Sequence, residues 1–145
     1  MRGLIFPPSS LGAAMAFGDD DIYQEHVLEH YEDPYHRGHC TQPTHAHEDK
    51  NPLCGDRIHI ELELSDEGRI EDIYFDGEGC CISQASASML AERMEGKSVE
   101  EAQNFSARDM LELFGPRLTP NRQKCCLLAW RVLQVALHSP LKPVG

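Results

Sequence analysis

The sequence predicts one domain of α+β class, on three observations. Ile58, Ile60, Leu62 and Leu64 alternate with His59, Glu61 and Glu63, the period-2 signature of a strand with one buried and one wet face. A turn at Ser65 to Gly68 leads into a second strand, Arg69 to Asp76, and the two make an antiparallel hairpin, with helical spacing of apolar residues before and after it. A chain of 145 residues can also bury a core without disulfide or metal staples.

The elements follow in order. Residues 1–18, MRGLIFPPSSLGAAMAFG, hold an apolar patch too short and too broken by Pro7 and Pro8 for a signal peptide, and are expected to form a disordered tail. The domain is expected over residues 19–138, with 139–145 a C-terminal tail. Asp19, Asp20 and Asp21 can cap a first helix carrying Tyr23, Val27, Leu28 and Tyr31, which Asp33 and Pro34 stop. Tyr35 to Pro52 has no sustained periodicity and reads as a surface loop. In the second strand Ile70 is out of phase with Ile73 and Phe75, which predicts a bulge or register change. A small-residue helix follows from about Ile82, with Ile82, Ala85, Met89 and Arg93 on one stripe and Gly96 as C-cap. Ser98 and Glu101 form a capping box, and Arg108 to Phe114 reads as another short helix. Thr119 and Pro120 open a last helix through Leu127, Leu128, Trp130, Val132, Leu133, Val135 and Leu137, apolar around most of its circumference.

Composition excludes several classes. A formal charge of -11 argues against a nucleic-acid or anionic-membrane surface, and no apolar run approaches the roughly 18 residues of a membrane helix. Of the six cysteines, Cys80 and Cys81 are adjacent, as are Cys125 and Cys126, which suits a reducing, cytoplasmic setting with thiolate chemistry better than a disulfide framework.

Three cysteines stand at element boundaries: Cys54 before the first strand, Cys80 before the small-residue helix, and Cys125 early in the last helix. A helix N-terminus stabilises the thiolate that binds metal or attacks sulfur, although one buried cysteine is also an ordinary small hydrophobe. A hairpin brings the start of its first strand beside the end of its second, so Cys54, Asp56 and Cys80 can meet at one sheet edge, with Cys125 as a fourth ligand. Three thiolates and a carboxylate suit zinc or an iron–sulfur cluster, and ligand type does not choose between them. The aspartate, a hard and displaceable ligand for a soft metal, suggests a site that exchanges ligands or metal. Spacing alone is a weak signal, because no Cys-x-x-Cys pair is present, and it leaves open a zinc-stabilised interaction module without transfer chemistry. Cys40, His45 and His47 offer a second metal site only as a departure from the ordinary reading of a solvated loop. His26, His30 and His36 read as surface residues of the first helix and its exit.

The strings DIYQEHVLEHYEDPYHRG, NPLCGDRI, IEDIYFDGEGCCISQASASML and RQKCCLLAW, in that order, resemble the IscU/SufU/NifU-N family of iron–sulfur cluster assembly proteins over essentially everything from Asp19 to Leu137. The resemblance implies a small, mainly antiparallel sheet packed by helices, with a metal or cluster site at one end. By position it implies Cys54, Asp56, Cys80 and Cys125 as ligands, while Cys81 and Cys126 occupy places usually held by small residues and read as packing, with redox backup as the alternative. In the IscU-like scaffold branch a histidine precedes the last cysteine and a Leu-Pro-Pro-Val-Lys chaperone signal lies nearby; here Lys124 precedes Cys125 and LTPNR replaces that signal. Arg122 to Cys125 looks like the SufU branch, although the chain is too short for the insertion that SufU proteins commonly carry between the second and third cysteine blocks.

The implied activity is that of a zinc-dependent acceptor of persulfide sulfur. A SufS-like cysteine desulfurase would dock, displace one zinc ligand and pass sulfane sulfur to Cys54, for onward delivery to a Suf scaffold complex or recipient apoproteins. Asp56 would tune ligand exchange, Cys80 and Cys125 would retain the metal, and Arg122 would steady the partner or the sulfur anion. The alternative is a scaffold that assembles a [2Fe-2S] cluster on the same four residues and passes it to apoproteins.

Overall fold

The computed structural model describes residues 24–52, 55–115 and 117–141. Its elements run α1 (Glu25–Glu32), β1 (His45–Asn51), β2 (Asp56–Leu64), β3 (Ile70–Glu78), α2 (Cys81–Met94), α3 (Val99–Asn104), α4 (Ala107–Phe114) and α5 (Pro120–Ala136). Among the described residues the strands form one antiparallel sheet in the order β1-β2-β3. The expected hairpin is β2 with β3, Arg57 lying opposite Glu78 and Leu62 opposite Ile73, and the expected register change falls between Glu63 and Leu64. Ile58, Ile60, Leu62, Ile73 and Phe75 turn a fully buried face to α2 and α5, while His59 and Glu61 stand on the other face.

The segment expected to be a surface loop contains β1. Its sequence, HAHEDKN, has no apolar alternation to betray a strand, because its order comes from the backbone ladder to β2, from His45 opposite Leu62 to Asn51 opposite Asp56. Earlier in the same segment the Gly38 N–H donates to the Phe75 carbonyl and the Phe75 N–H to that of His36, so the chain from α1 also runs along β3. At the opposite edge the Leu141 N–H donates to the Thr44 carbonyl and the Ala46 N–H to that of Ser139. With β1 present, β2 is the central strand, and its first residue lies at an end of the sheet rather than at an edge.

α1 is shorter than expected among the described residues, beginning after Gln24; the caps expected at Asp19 to Asp21, and Tyr23, lie outside them. The histidines of α1 and of its exit are tertiary links, which corrects the surface reading. His26 Nε2 lies 2.7 Å from the Phe114 carbonyl oxygen, His30 Nδ1 2.7 Å from Ser88 Oγ, and His36 Nδ1 donates to the Ile73 carbonyl at 3.0 Å. Nor is α2 buried along one stripe: every residue from Ile82 to Ala91 is buried. A helix this rich in serine can be enclosed because its hydroxyls find partners: Ser86 Oγ donates to the Ser83 carbonyl at 3.1 Å, and Ser88 Oγ accepts the Tyr35 N–H at 2.7 Å. Ser98 with Glu101 and Ser106 with Asp109 both form capping boxes, the second starting α4 at Ala107. Thr119 caps α5 by accepting the Arg122 N–H, with Pro120 in the first turn, and Cys125, Cys126, Leu128, Ala129, Val132, Leu133 and Ala136 are buried along it.

Candidate metal centre

Three element ends converge on one point. Asp56 is the first residue of β2 and 1% exposed, Cys80 is the exposed N-cap of α2, and Cys125 lies early in α5 at 6% exposed. One carboxylate oxygen of Asp56 and the Sγ atoms of Cys80 and Cys125 all lie within 4.8 Å of one another. Asp56 Oδ1 accepts the Cys80 N–H at 2.9 Å, Oδ2 is 3.5 Å from Cys80 Sγ, and Ser83 Oγ donates to the Cys80 carbonyl at 3.0 Å. The helix N-terminus is therefore fastened to the strand by the carboxylate itself.

The two glycines before Cys80 make that approach possible. A Cβ on Gly77 would lie 2.1 Å from the Arg57 carbonyl oxygen, and one on Gly79, where φ is +146°, would lie 2.2 Å from Asp56 Oδ1. Any side chain at position 79 would push the carboxylate away from Cys80. Cys54 belongs to the connection between β1 and β2, two residues ahead of Asp56, and lies outside the described residues.

The remaining thiols differ in kind. Burial pushes Cys126 up to about 12, and Cys40 is pushed to about 12 by burial reinforced by Asp72, Glu61 and Glu63. Cys81 is also raised, by burial and then by Cys80, against the opposing charge of Arg122. These three stay protonated near neutral pH and fill space. Arg122, half-buried in the first turn of α5, is thereby placed beside the Cys80–Cys81 pair.

Cys40, His45 and His47 do not assemble, which corrects both the solvated-loop reading and its metal-site alternative. His45 and His47 pair with Leu62 and Ile60 and so share the helix-covered face of the sheet, whereas the Cys40 N–H donates to Glu61 Oε1 on the opposite face. Cys40 is itself buried. The fold instead groups His39, His59 and Glu61. The signal for it in sequence was His59-x-Glu61 in an alternating strand, two donors on one face; His39, from the preceding segment, had none.

A family model for the NifU-like N-terminal domain matches residues 22–141, which contains all three donors. The chain belongs to the NifU-like N-terminal domain family. Within that family it is 34% identical over 132 residues to the zinc-dependent sulfurtransferase SufU of Bacillus subtilis strain 168, covering 79% of this chain and 88% of the relative. It is 36% identical over 133 residues to the iron–sulfur cluster assembly scaffold protein IscU of Streptococcus pyogenes serotype M1, covering 80% and 82%. The crystal structure of FiSufU, named as an iron–sulfur cluster assembly scaffold protein for the SUF system, from Fervidobacterium islandicum AW-1 superposes with a TM-score of 0.68 at 29% identity, covering 80% of this chain and 96% of that one. The expected α+β architecture, a small antiparallel sheet packed by helices, is the architecture of this family member. Among the described residues no helix is long and apolar enough to cross a membrane.

Proposed function

We propose that this chain serves iron–sulfur cluster assembly in the cytoplasm as a zinc-dependent acceptor of persulfide sulfur from a SufS-like cysteine desulfurase. The observation that carries the reading is the convergence of Asp56, Cys80 and Cys125 beside the connection that bears Cys54. The donor set fits zinc: two thiols and a buried carboxylate within 4.8 Å, with a third thiol two residues from the carboxylate. Zinc held by Cys54, Asp56, Cys80 and Cys125 would supply Lewis acidity that keeps the thiols deprotonated at neutral pH.

The residues of the chain divide the work. The Cys54 thiolate attacks the outer sulfur of the desulfurase persulfide; a sulfur–sulfur bond forms at Cys54, the donor's breaks, and the electron pair leaves on the desulfurase cysteine as thiolate. No net oxidation occurs, and the proton stays on the transferred sulfur. Gly55, at φ +73°, gives the connection a turn that a side chain would strain. Asp56 fixes Cys80 through its backbone N–H, and Arg122 offers a cation to the thiolates that attack and leave.

A scaffold that builds a 2Fe–2S cluster on the same residues is the second reading, favoured by the 36% identity to a protein named as a scaffold. Purification without oxygen, followed by metal and sulfide analysis and a desulfurase assay, separates the two. The acceptor reading expects stoichiometric zinc and an accelerated desulfurase; iron and sulfide with little zinc and no acceleration would overturn it. Cys54→Ala should abolish the acceleration, and a variant that kept it in full would show the nucleophile to be misassigned.

A further inference from the structure

The face of the sheet turned away from the helices carries a second donor group, of different chemistry. His59 and Glu61 are two apart on β2 and so stand on the same face, and His39 reaches them from the segment before β1. His59 Nε2 is 3.0 Å and His39 Nδ1 3.1 Å from the same atom, Glu61 Oε2, and the three donors all lie within 4.8 Å. A tetrahedral ion with ligand distances of about 2.0–2.1 Å sets its donors about 3.3 Å apart, so small side-chain movements would admit one. His39, whose side chain is 64% exposed, is the member with room to move.

Each ring turns one nitrogen to Glu61 and the other towards a further carboxylate at ion-pair distance: His59 Nδ1 is 3.6 Å from Glu48 Oε1, and His39 Nε2 is 3.9 Å from Asp76 Oδ2. Glu61 is fixed from behind, since the Cys40 N–H donates to its Oε1 at 2.9 Å and leaves Oε2 as the inward atom. Three carboxylates here, Glu48, Glu61 and Asp76, meet two guanidinium groups, Arg57 at 3.0 Å from Glu48 and Arg37 at 3.7 Å from Asp76.

We propose that His39, His59 and Glu61 form a binding site for a divalent transition-metal ion, separate from the thiol centre, with two imidazoles and one carboxylate as ligands. Zinc suits that set, and three protein ligands leave a coordination position open to water or to a side chain of a docking partner. Irving–Williams ordering makes cobalt a weaker but visible probe.

The test is a zinc titration of the full chain with its thiol centre already loaded, repeated with cobalt. Wild type should bind a further equivalent, and cobalt in it should show weak visible bands without thiolate charge transfer. His39→Ala and His59→Ala should each lower the affinity of that equivalent by at least about 100-fold while leaving the thiol-bound equivalent in place, and Glu48→Gln should weaken it about 10-fold. No further equivalent in wild type, or one that persists in both histidine variants, would overturn the proposal. Should His59→Ala fail to fold, the exposed His39→Ala decides the matter alone.

Discussion

Asp56 and Glu61 are carboxylates on the same strand, yet they belong to different chemistry. Asp56 falls on the parity of Ile58, Ile60 and Leu62, is 1% exposed, and meets two thiols at the ends of helices. Glu61 falls on the other parity, beside His59 and beneath His39, where rings and carboxylates remain partly open to water. Period-2 geometry thus turns Asp56 toward the thiols on the helical side of the sheet and sets His59 with Glu61 on the wet side. The difference in construction matters as much: the thiol end is locked by backbone turns and a strand-to-helix hydrogen bond, whereas the wet face relies on one strand and one exposed side chain.

The contrast can be broken by substitution. Cys80→Ala or Cys125→Ala should cost the first zinc equivalent at least about 100-fold in affinity, beyond the range of outer-shell changes, while His39→Ala leaves it intact; competition with a chelator measures both. Gly79→Ala should destabilise the fold by about 1–3 kcal/mol in denaturant unfolding and weaken the same zinc, since a methyl group would lie 2.2 Å from Asp56 Oδ1. Cys126→Ser should cost about 1–3 kcal/mol by burying a hydroxyl in the core, yet leave zinc stoichiometry unchanged, setting it apart from its neighbour Cys125.

The smallest effect is a pH dependence at the C-terminal end of α2. Tyr35 donates to Glu95 Oε1, and that hydrogen bond, with burial and nearby carboxylates, raises the phenol from 10.0 to about 12. A raised folded-state value means that the contribution is fully present below pH 10.0 and lost as pH rises through about 12. Tyr35→Phe should therefore be less stable than wild type in denaturant melts below pH 10.0, with the gap closing across that window.

Much of this was legible in sequence where local chemistry decides. Alternation gave the hairpin, the misphased Ile70 its register change, and Ser98, Glu101, Thr119 and Pro120 the helix starts. The meeting of Asp56 and Cys80 followed from hairpin geometry, and Cys125 from resemblance and position together. What escaped depends on partners remote in sequence. β1 is a strand because β2 offers it a ladder, not because HAHEDKN prefers one. His30 is half-buried because Ser88 waits on another helix, and α2 is enclosed because its serines are satisfied by His30, Tyr35 and the helix's own carbonyls, which no helical stripe reveals. His39 joined its group only once the segment before β1 was seen to cross the sheet.

Zinc K-edge absorption of the chain carrying its first equivalent tests the thiol centre most directly. Three sulfur atoms at about 2.3 Å with one lighter atom at about 2.0–2.2 Å are predicted, from Cys54, Cys80, Cys125 and Asp56. A shell made only of nitrogen and oxygen would contradict it and move the first ion to the imidazole face.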